Sequence, residues 1–194
     1  MTDTETATLT GERADLLETL RRHRDFLRFT VRDLNDEQAA ERPTVSRLCL
    51  GGLIKHVAET EQSWADFAIA GEDAMGGGDW SDADSAEANV AGVGAGAGDD
   101  AAAVDWWESR FEMAPGETLA GLLATYDEVA ARTDGLVATL DLDLSHPLPE
   151  APWYEKGASW SVRRVFLHLI AETSQHAGHA DIIRETLDGQ KTMG

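Results

Sequence analysis

Apolar side chains recur every three to four positions in four stretches of this sequence, and that spacing predicts four amphipathic helices. We place these helices at about residues 10–34, 44–70, 117–139 and 161–187. Pro43 should break the chain before the second helix, with Thr44 or Ser46 as its N-cap. Asp188-Gly189 is a typical helix end after the fourth. No segment has the alternation of a β-strand, so the pattern predicts an all-α fold, a four-helix bundle.

Residues 71–104 interrupt this pattern between the second and third predicted helices. The stretch holds eight glycines and eight acidic residues but no lysine or arginine, and its centre reads AGVGAGAGDDAAA. Such low-complexity composition cannot bury enough apolar surface to fold, so we expect a flexible insertion. A solvated loop is the plain interpretation, and a tether or lid is the alternative. The whole chain, residues 1–194, is predicted to be one bundle with this acidic, glycine-rich loop.

The charge excludes several classes of partner. The chain has 36 acidic and 16 basic residues, for a formal net charge of −20. It therefore lacks the clustered positive charge that nucleic acids or anionic membranes require. With no apolar run near the roughly 20 residues that span a bilayer, and no visible signal peptide, a soluble, cytoplasmic protein is predicted. Acidic residues spread along a lysine-poor chain are typical of a salt-adapted surface, a partner-binding face being the alternative.

One face of the fourth predicted helix carries three histidines and a glutamate at spacings of four, four and three. These residues are His168, Glu172, His176 and His179. At about 100° per residue they lie within roughly 80° of one another. Val165 and Ile183 extend the same stripe, so we expect this face to point into the core. The opposite, solvent-facing side is expected to hold Arg163, Arg164, Gln175 and Arg184.

Inward-facing imidazoles and a carboxylate suggest a metal ion. Buried polar groups without partners cost free energy, and one divalent cation can satisfy several of them together. Glu172 and His176, four residues apart on a helix, can reach the same ion. His56 lies beside the apolar stripe of the second predicted helix and can face them across the bundle. Three nitrogen and oxygen ligands leave positions open for water or substrate, as in catalytic sites.

The remaining candidate groups have plainer interpretations. We expect His168 to be a packed core histidine and His146 to be a loop residue. Cys49, the single cysteine, cannot form an internal disulfide and is expected to be a buried, inert thiol. No GxSxG motif is present, so a serine hydrolase is not indicated. Four tryptophans either line a pocket or pack in the core: Trp64, Trp106, Trp107 and Trp160.

Two segments carry a resemblance to a known family. The first is LGGLIKHVAETEQSW (residues 50–64), and the second runs from Trp160 to Gly189 and includes HAGHAD after Glu172. The chain resembles the DinB superfamily, and within it the DUF664 branch related to mycothiol-dependent maleylpyruvate isomerases. The resemblance covers most of the chain outside residues 71–104. It implies an up-down-down-up four-helix bundle, often a homodimer, with a metal triad that holds zinc or nickel in many members.

The resemblance also implies which residues act. The ligand of the second helix falls on His56, and the pair of the fourth helix falls on Glu172 and His176. His179 stands where many relatives have glutamine, and is a fourth ligand, a partner of a ligand or a proton carrier. We take His179 as the candidate catalytic residue for proton transfer.

The implied activity is thiol chemistry on a small-molecule substrate. A low-molecular-weight thiol bound to the ion would be transferred to an electrophile or would assist an isomerisation. Two alternatives stay open: a metal-dependent hydrolase that uses the same site, and a non-catalytic metal-binding or interaction bundle.

Overall fold

The computed structural model describes residues 9–75, 109–151 and 154–192, and it contains the four long helices that the sequence predicts. The long helices are α1 (Glu12–Thr30), α3 (Leu50–Ala70), α4 (Leu119–Thr139) and α5 (Val162–Asp188), with a five-residue helix α2 (Asp36–Ala40) before α3. A 3₁₀ helix, Gly71–Met75, follows α3. The all-α fold class is confirmed. None of the described helices is long and apolar enough to cross a membrane.

Contacts near the helix ends fix their directions. Arg163 at the start of α5 pairs with Glu12 at the start of α1, so these helices run parallel. His56 and His176 meet across α3 and α5, as do Trp64 and His168 further along, so α3 and α5 run antiparallel. Two ion pairs, Lys55 with Glu117 and Arg132 with Asp66, show that α3 and α4 run parallel. The bundle is therefore up-down-down-up.

The core consists of two clusters of buried apolar residues. One cluster includes Leu20, Phe67 and Phe166, and Trp160 packs against it. The other lies toward the start of α3 and contains residues that flank the predicted ligands: Leu53, Val57, Ala177 and Ala180. The predicted ligands thus lie in the bundle interior.

A buried ion pair joins α1 to α3. Arg24 and Glu61 are each 1% exposed, and the guanidinium binds the carboxylate through two hydrogen bonds of 2.5 and 3.0 Å. A third hydrogen bond, 2.6 Å long, runs from Arg24 to Asp134 on α4. Such bidentate, charge-assisted bonds are among the stronger polar contacts in proteins. They connect the helices α1, α3 and α4.

The structure corrects the expectation that the chain has no strands. Two strands, β1 (Ser145–Pro147) and β2 (Ser159–Ser161), pair antiparallel, with His146 opposite Trp160. Each strand has three residues, too short for an alternating pattern to be visible in the sequence. His146, predicted to be a loop residue, lies in β1, and its Nε2 atom is 3.2 Å from the carbonyl oxygen of Ala68. The hairpin is thereby attached to the end of α3.

The start of α3 also differs from the prediction. The helix begins at Leu50, and its N-cap is Cys49, whose Sγ atom accepts a hydrogen bond of 3.3 Å from the Gly52 amide. Thr44 and Ser46, the predicted caps, accept hydrogen bonds only from amides two residues on, before the helix. Cys49 is 1% exposed, which confirms the prediction of a buried thiol.

Two glycines in the first turn of α3 let another segment approach closely. A Cβ atom at Gly52 would lie 1.8 Å from the carbonyl oxygen of Phe111, and one at Gly51 would lie 2.2 Å from the Met113 sulfur. The clash at Gly52 is with backbone, which cannot move aside as a flexible side chain can. The two glycines therefore leave the space in which the segment that carries Phe111 packs against α3.

We expect Gly52→Ala to destabilise the protein by about 1–3 kcal/mol or more, because overpacking forces backbone shifts. Gly135→Ala on α4 is the matched control, since no atom lies within 4 Å of its added Cβ. That control should stabilise the helix by about 0.5–1 kcal/mol. Urea denaturation of both variants measures the difference, and equal stabilities would contradict the close approach.

The predicted insertion is described only at its beginning. Residues 71–75 form the 3₁₀ helix, so ordered structure extends further than the predicted boundary at residue 71. The rest of the predicted insertion lies outside the described residues, as do Trp106 and Trp107.

Candidate metal centre

Three side chains from two distant parts of the sequence meet between α3 and α5. His56, Glu172 and His176 each offer one ligand atom, and these atoms all lie within 4.8 Å of one another. The His56 and His176 rings are 4.8 Å apart between centroids, and His176 Nε2 is 3.5 Å from Glu172 Oε2. Glu172 and His176 share a face because they are one turn apart on α5. The structure therefore brings His56 on α3 close to Glu172 and His176 on α5, as the sequence predicted.

Three of the four ring nitrogens at this place have no hydrogen-bond partner among the described residues. His56 is fully buried, His176 is 5% exposed, and neither ring nitrogen of His56 has a hydrogen-bond partner within the described parts of the chain. The Nδ1 atom of His176 has none there either. Since most buried polar atoms are hydrogen-bonded, these nitrogens point to a ligand of another kind. Two imidazoles and a carboxylate are a donor set that suits a divalent cation, so the residues fit such an ion.

The electrostatics keep His56 and Glu172 in the forms that bind metal. Burial lowers the pKa of the His56 imidazole to about 2, and His176 and Arg110 act in the same direction. His56 is therefore neutral, with a nitrogen lone pair free for a ligand. His176 holds the pKa of the Glu172 carboxyl below its ordinary value, because it favours the charged carboxylate. His56 and Glu172 together therefore carry one negative charge near neutral pH.

An aromatic ring covers one side of the triad. The Phe111 ring lies 4.2 Å from the His56 ring, tilted by 31°, and 6.3 Å from the His176 ring. Phe111 belongs to the segment that the glycines of α3 admit. The sequence offered no reason to place Phe111 here, because it is more than 50 residues from His56 and its segment makes no recognisable motif.

His179, the candidate catalytic residue, lies beside the triad but is not one of its members. It is half-buried one turn after His176, and the two rings are 5.4 Å apart. Its Nδ1 atom is buried and has no hydrogen-bond partner among the described residues. Burial, with a smaller contribution from His176, lowers the pKa of His179. Its assignment as a proton carrier stays a prediction.

His168 lies one turn before Glu172, on the other side of the triad. Its Nε2 atom is 3.7 Å from Glu172 Oε1, and it is not one of the three clustered ligands. The ring packs edge-on against Trp64 and Trp160, which stack on each other 4.8 Å apart. Burial lowers the pKa of His168. These aromatic contacts agree with the prediction of a packed histidine, and the neighbouring carboxylate is the Glu172 that helical spacing placed one turn away.

Comparison of the sequence with known protein families gives the family of this chain. The chain matches the family model of the mycothiol-S-transferases over residues 15–189. It belongs to this family. The match confirms the predicted DinB-superfamily resemblance.

The fold of this mycothiol-S-transferase family member also has a solved counterpart. The crystal structure of a conserved protein from Enterococcus faecalis is similar to it, with a TM-score of 0.62 and 14% identity, over 94% of this chain and 100% of that one. At that identity the likeness shows the fold alone. No curated protein matches the chain.

One expectation about α5 of this family member was wrong. Arg184, predicted on the solvent-facing side, is 2% exposed. Its Nη1 atom donates hydrogen bonds of 2.8 Å to the carbonyl oxygens of Thr30 and Arg32, and its Nε atom donates to Asp188. Arg184 thus satisfies carbonyls at the end of α1 that have no partner within the helix. The sequence signal for a paired Arg184 was Asp188, four residues later on the same helix face.

Proposed function

We propose that this protein is a divalent-metal-dependent enzyme that uses a low-molecular-weight thiol, as a transferase or isomerase. The observation that carries the proposal is the cluster of His56, Glu172 and His176, in which both ring nitrogens of His56 and the Nδ1 atom of His176 have no hydrogen-bond partner among the described residues. The family's name, mycothiol-S-transferase, supports thiol transfer as the reaction type. The substrate is a small electrophilic molecule.

The side chains have separate tasks in this reaction. His56 and His176 bind as neutral imidazoles, and Glu172 binds as a carboxylate. A divalent cation held by these three residues would lower the pKa of a bound thiol and so supply the thiolate nucleophile. His179 accepts the thiol proton at a ring nitrogen. The sulfur forms a bond to the electrophilic carbon, and the leaving group departs with the bonding electrons and receives a proton. The Phe111 ring covers the His56 side of the metal site and excludes water there.

The number of ligands favours catalysis over a purely structural metal. A structural site is normally closed by four protein ligands, whereas a catalytic site has three and an open position. The described part of the chain brings three such groups together at this place. A non-catalytic brace would need a fourth protein ligand.

Several finer features stay predictions. Zinc or nickel suits the two imidazoles and one carboxylate. The acidic composition supports a cytoplasmic, salt-adapted protein, and the DinB resemblance supports a homodimer.

Turnover with a thiol tests the proposed function. The metal-loaded protein is incubated with mycothiol, cysteine or glutathione and an activated aryl chloride, and thioether formation is followed by absorbance. We expect turnover with at least one thiol. For His176→Ala we expect a loss of at least about 100-fold in kcat/KM, since removal of a ligand weakens the binding of the ion. Chelation should remove the activity, and added metal should restore it.

The control for this assay is His23→Gln, which removes a histidine on α1 outside the site. It should leave turnover within about twofold of the wild type. Thioether formation that survives both chelation and His176→Ala would end the proposal. Hydrolysis of ester substrates without thiol transfer would identify the metal-dependent hydrolase instead.

A further inference from the structure

The two carboxylate oxygens of Glu172 face two different histidines. Oε2 points toward His176 and the triad, at 3.5 Å from His176 Nε2. The other carboxylate oxygen, Oε1, lies 3.7 Å from His168 Nε2. Both histidines lie one turn from Glu172 on the same face of α5. One carboxylate oxygen of Glu172 therefore faces His176, and the other faces His168.

His168 is held in place by aromatic packing. Its ring lies edge-on to Trp64 at 4.7 Å and to Trp160 at 5.1 Å between centroids. The two indole rings stack nearly parallel, at 15°, so they form one rigid surface. Trp64 is buried on α3, and Trp160 belongs to β2, opposite His146. The hairpin thus reaches the candidate site through Trp160 and His168.

We infer that His168 is a positioning residue: its Nε2 atom faces Oε1 of Glu172 as a potential N–H donor, which keeps Oε2 directed at the metal ion. The inference rests on the proposed metal site. Partners that orient metal ligands in this way are known to change metal affinity by about 10–100-fold when removed. A neutral imidazole has a single N–H to donate, and the tryptophan contacts fix the ring that carries it.

Cobalt(II) binding tests this role without any assay of activity. His168→Gln and His168→Met have side chains of equal length, but only glutamine has an N–H donor. His168→Phe keeps a ring for Trp64 and Trp160 to contact. Co²⁺ affinity and the visible absorption spectrum of the Co²⁺ form are measured by titration, and the thermal midpoint of each metal-free variant is measured in parallel.

We expect His168→Met and His168→Phe to bind Co²⁺ at least about tenfold more weakly than the wild type, with an altered spectrum. His168→Gln should recover most of the affinity. A packing role alone would instead lower the thermal midpoints and leave the affinities of the folded variants equal. The Gln and Met pair keeps the comparison valid if the Phe variant does not fold.

The outcomes separate this inference from the proposed function. Equal Co²⁺ affinity in the wild type, His168→Gln and His168→Met would overturn the role of His168 and leave the metal site standing. A wild-type protein that binds no Co²⁺ would overturn both. His23→Gln, which removes a histidine outside the site, should bind Co²⁺ as the wild type does.

Discussion

Replacing His56 with leucine should leave a folded protein that no longer retains a divalent cation. His56 is the one triad member from α3, so its loss leaves only the Glu172 and His176 pair on α5. Because both ring nitrogens of His56 lack hydrogen-bond partners among the described residues, leucine removes two unmet polar atoms from the core. An apolar group of similar size at such a position is nearly neutral or stabilising.

Elemental analysis after purification and exhaustive dialysis measures the retained metal. We expect about one equivalent in the wild type and less than about a tenth of that in His56→Leu, consistent with loss of one of three ligands. The metal-free forms of the two proteins should unfold at similar temperatures. His146→Gln is the control, because that histidine already contacts the carbonyl oxygen of Ala68 and lies outside the triad. Full metal retention by His56→Leu would refute the triad.

Glu61→Ala should destabilise the protein by about 3–5 kcal/mol. Its carboxylate is the bidentate partner of Arg24, and both side chains are 1% exposed. Removal of one member of a buried ion pair leaves the other charge without compensation in the core. Urea denaturation monitored by circular dichroism gives the free energy of unfolding.

Asp66→Ala is the matched control for Glu61→Ala, because Asp66 is also on α3 but pairs with Arg132 near the surface. Its cost should be below about 1 kcal/mol. The double variant Arg24→Met with Glu61→Leu should recover most of the stability, because an apolar pair avoids the desolvation of both charges. If Glu61→Ala cost no more than Asp66→Ala, the ion pair would not stabilise the bundle.

Helix periodicity predicted the bundle and an inward-facing pair of metal ligands, and the resemblance to the DinB superfamily implied the complete triad. Helical spacing placed Glu172 and His176 on one inward face, and the apolar residues around His56 turned it toward the same interior. The antiparallel pairing of α3 and α5 then brought the three together. The elements that were missed were short: α2 has five residues and each strand has three, which is less than a periodic pattern needs.

Buried charges were harder to foresee. Arg24 and Glu61 look like ordinary surface residues on amphipathic helices, and they are 37 positions apart, so no local pattern links them. Arg184 was assigned to the solvent-facing side for the same reason. Such residues are buried only because tertiary partners satisfy them, and those partners appear only when the helices pack.

The glycine pair in α3 could have been interpreted from the sequence. Gly51 and Gly52 stand where a predicted helix begins, and glycine weakens a helix by roughly 1 kcal/mol relative to alanine. Two of them together indicate that something approaches the backbone closely. The partner that does so, the segment of Phe111, is visible only in the structure.

The position of the triad has a consequence for the stability of the chain. His56 and His176 are separated by more than half of the sequence, so both can reach one cation only after α3 and α5 have packed together. A cation that binds this site therefore favours the folded state, by an amount that grows with the free metal concentration. An acidic chain with one cysteine can thus acquire a reversible cross-link that depends on metal supply and needs no oxidation.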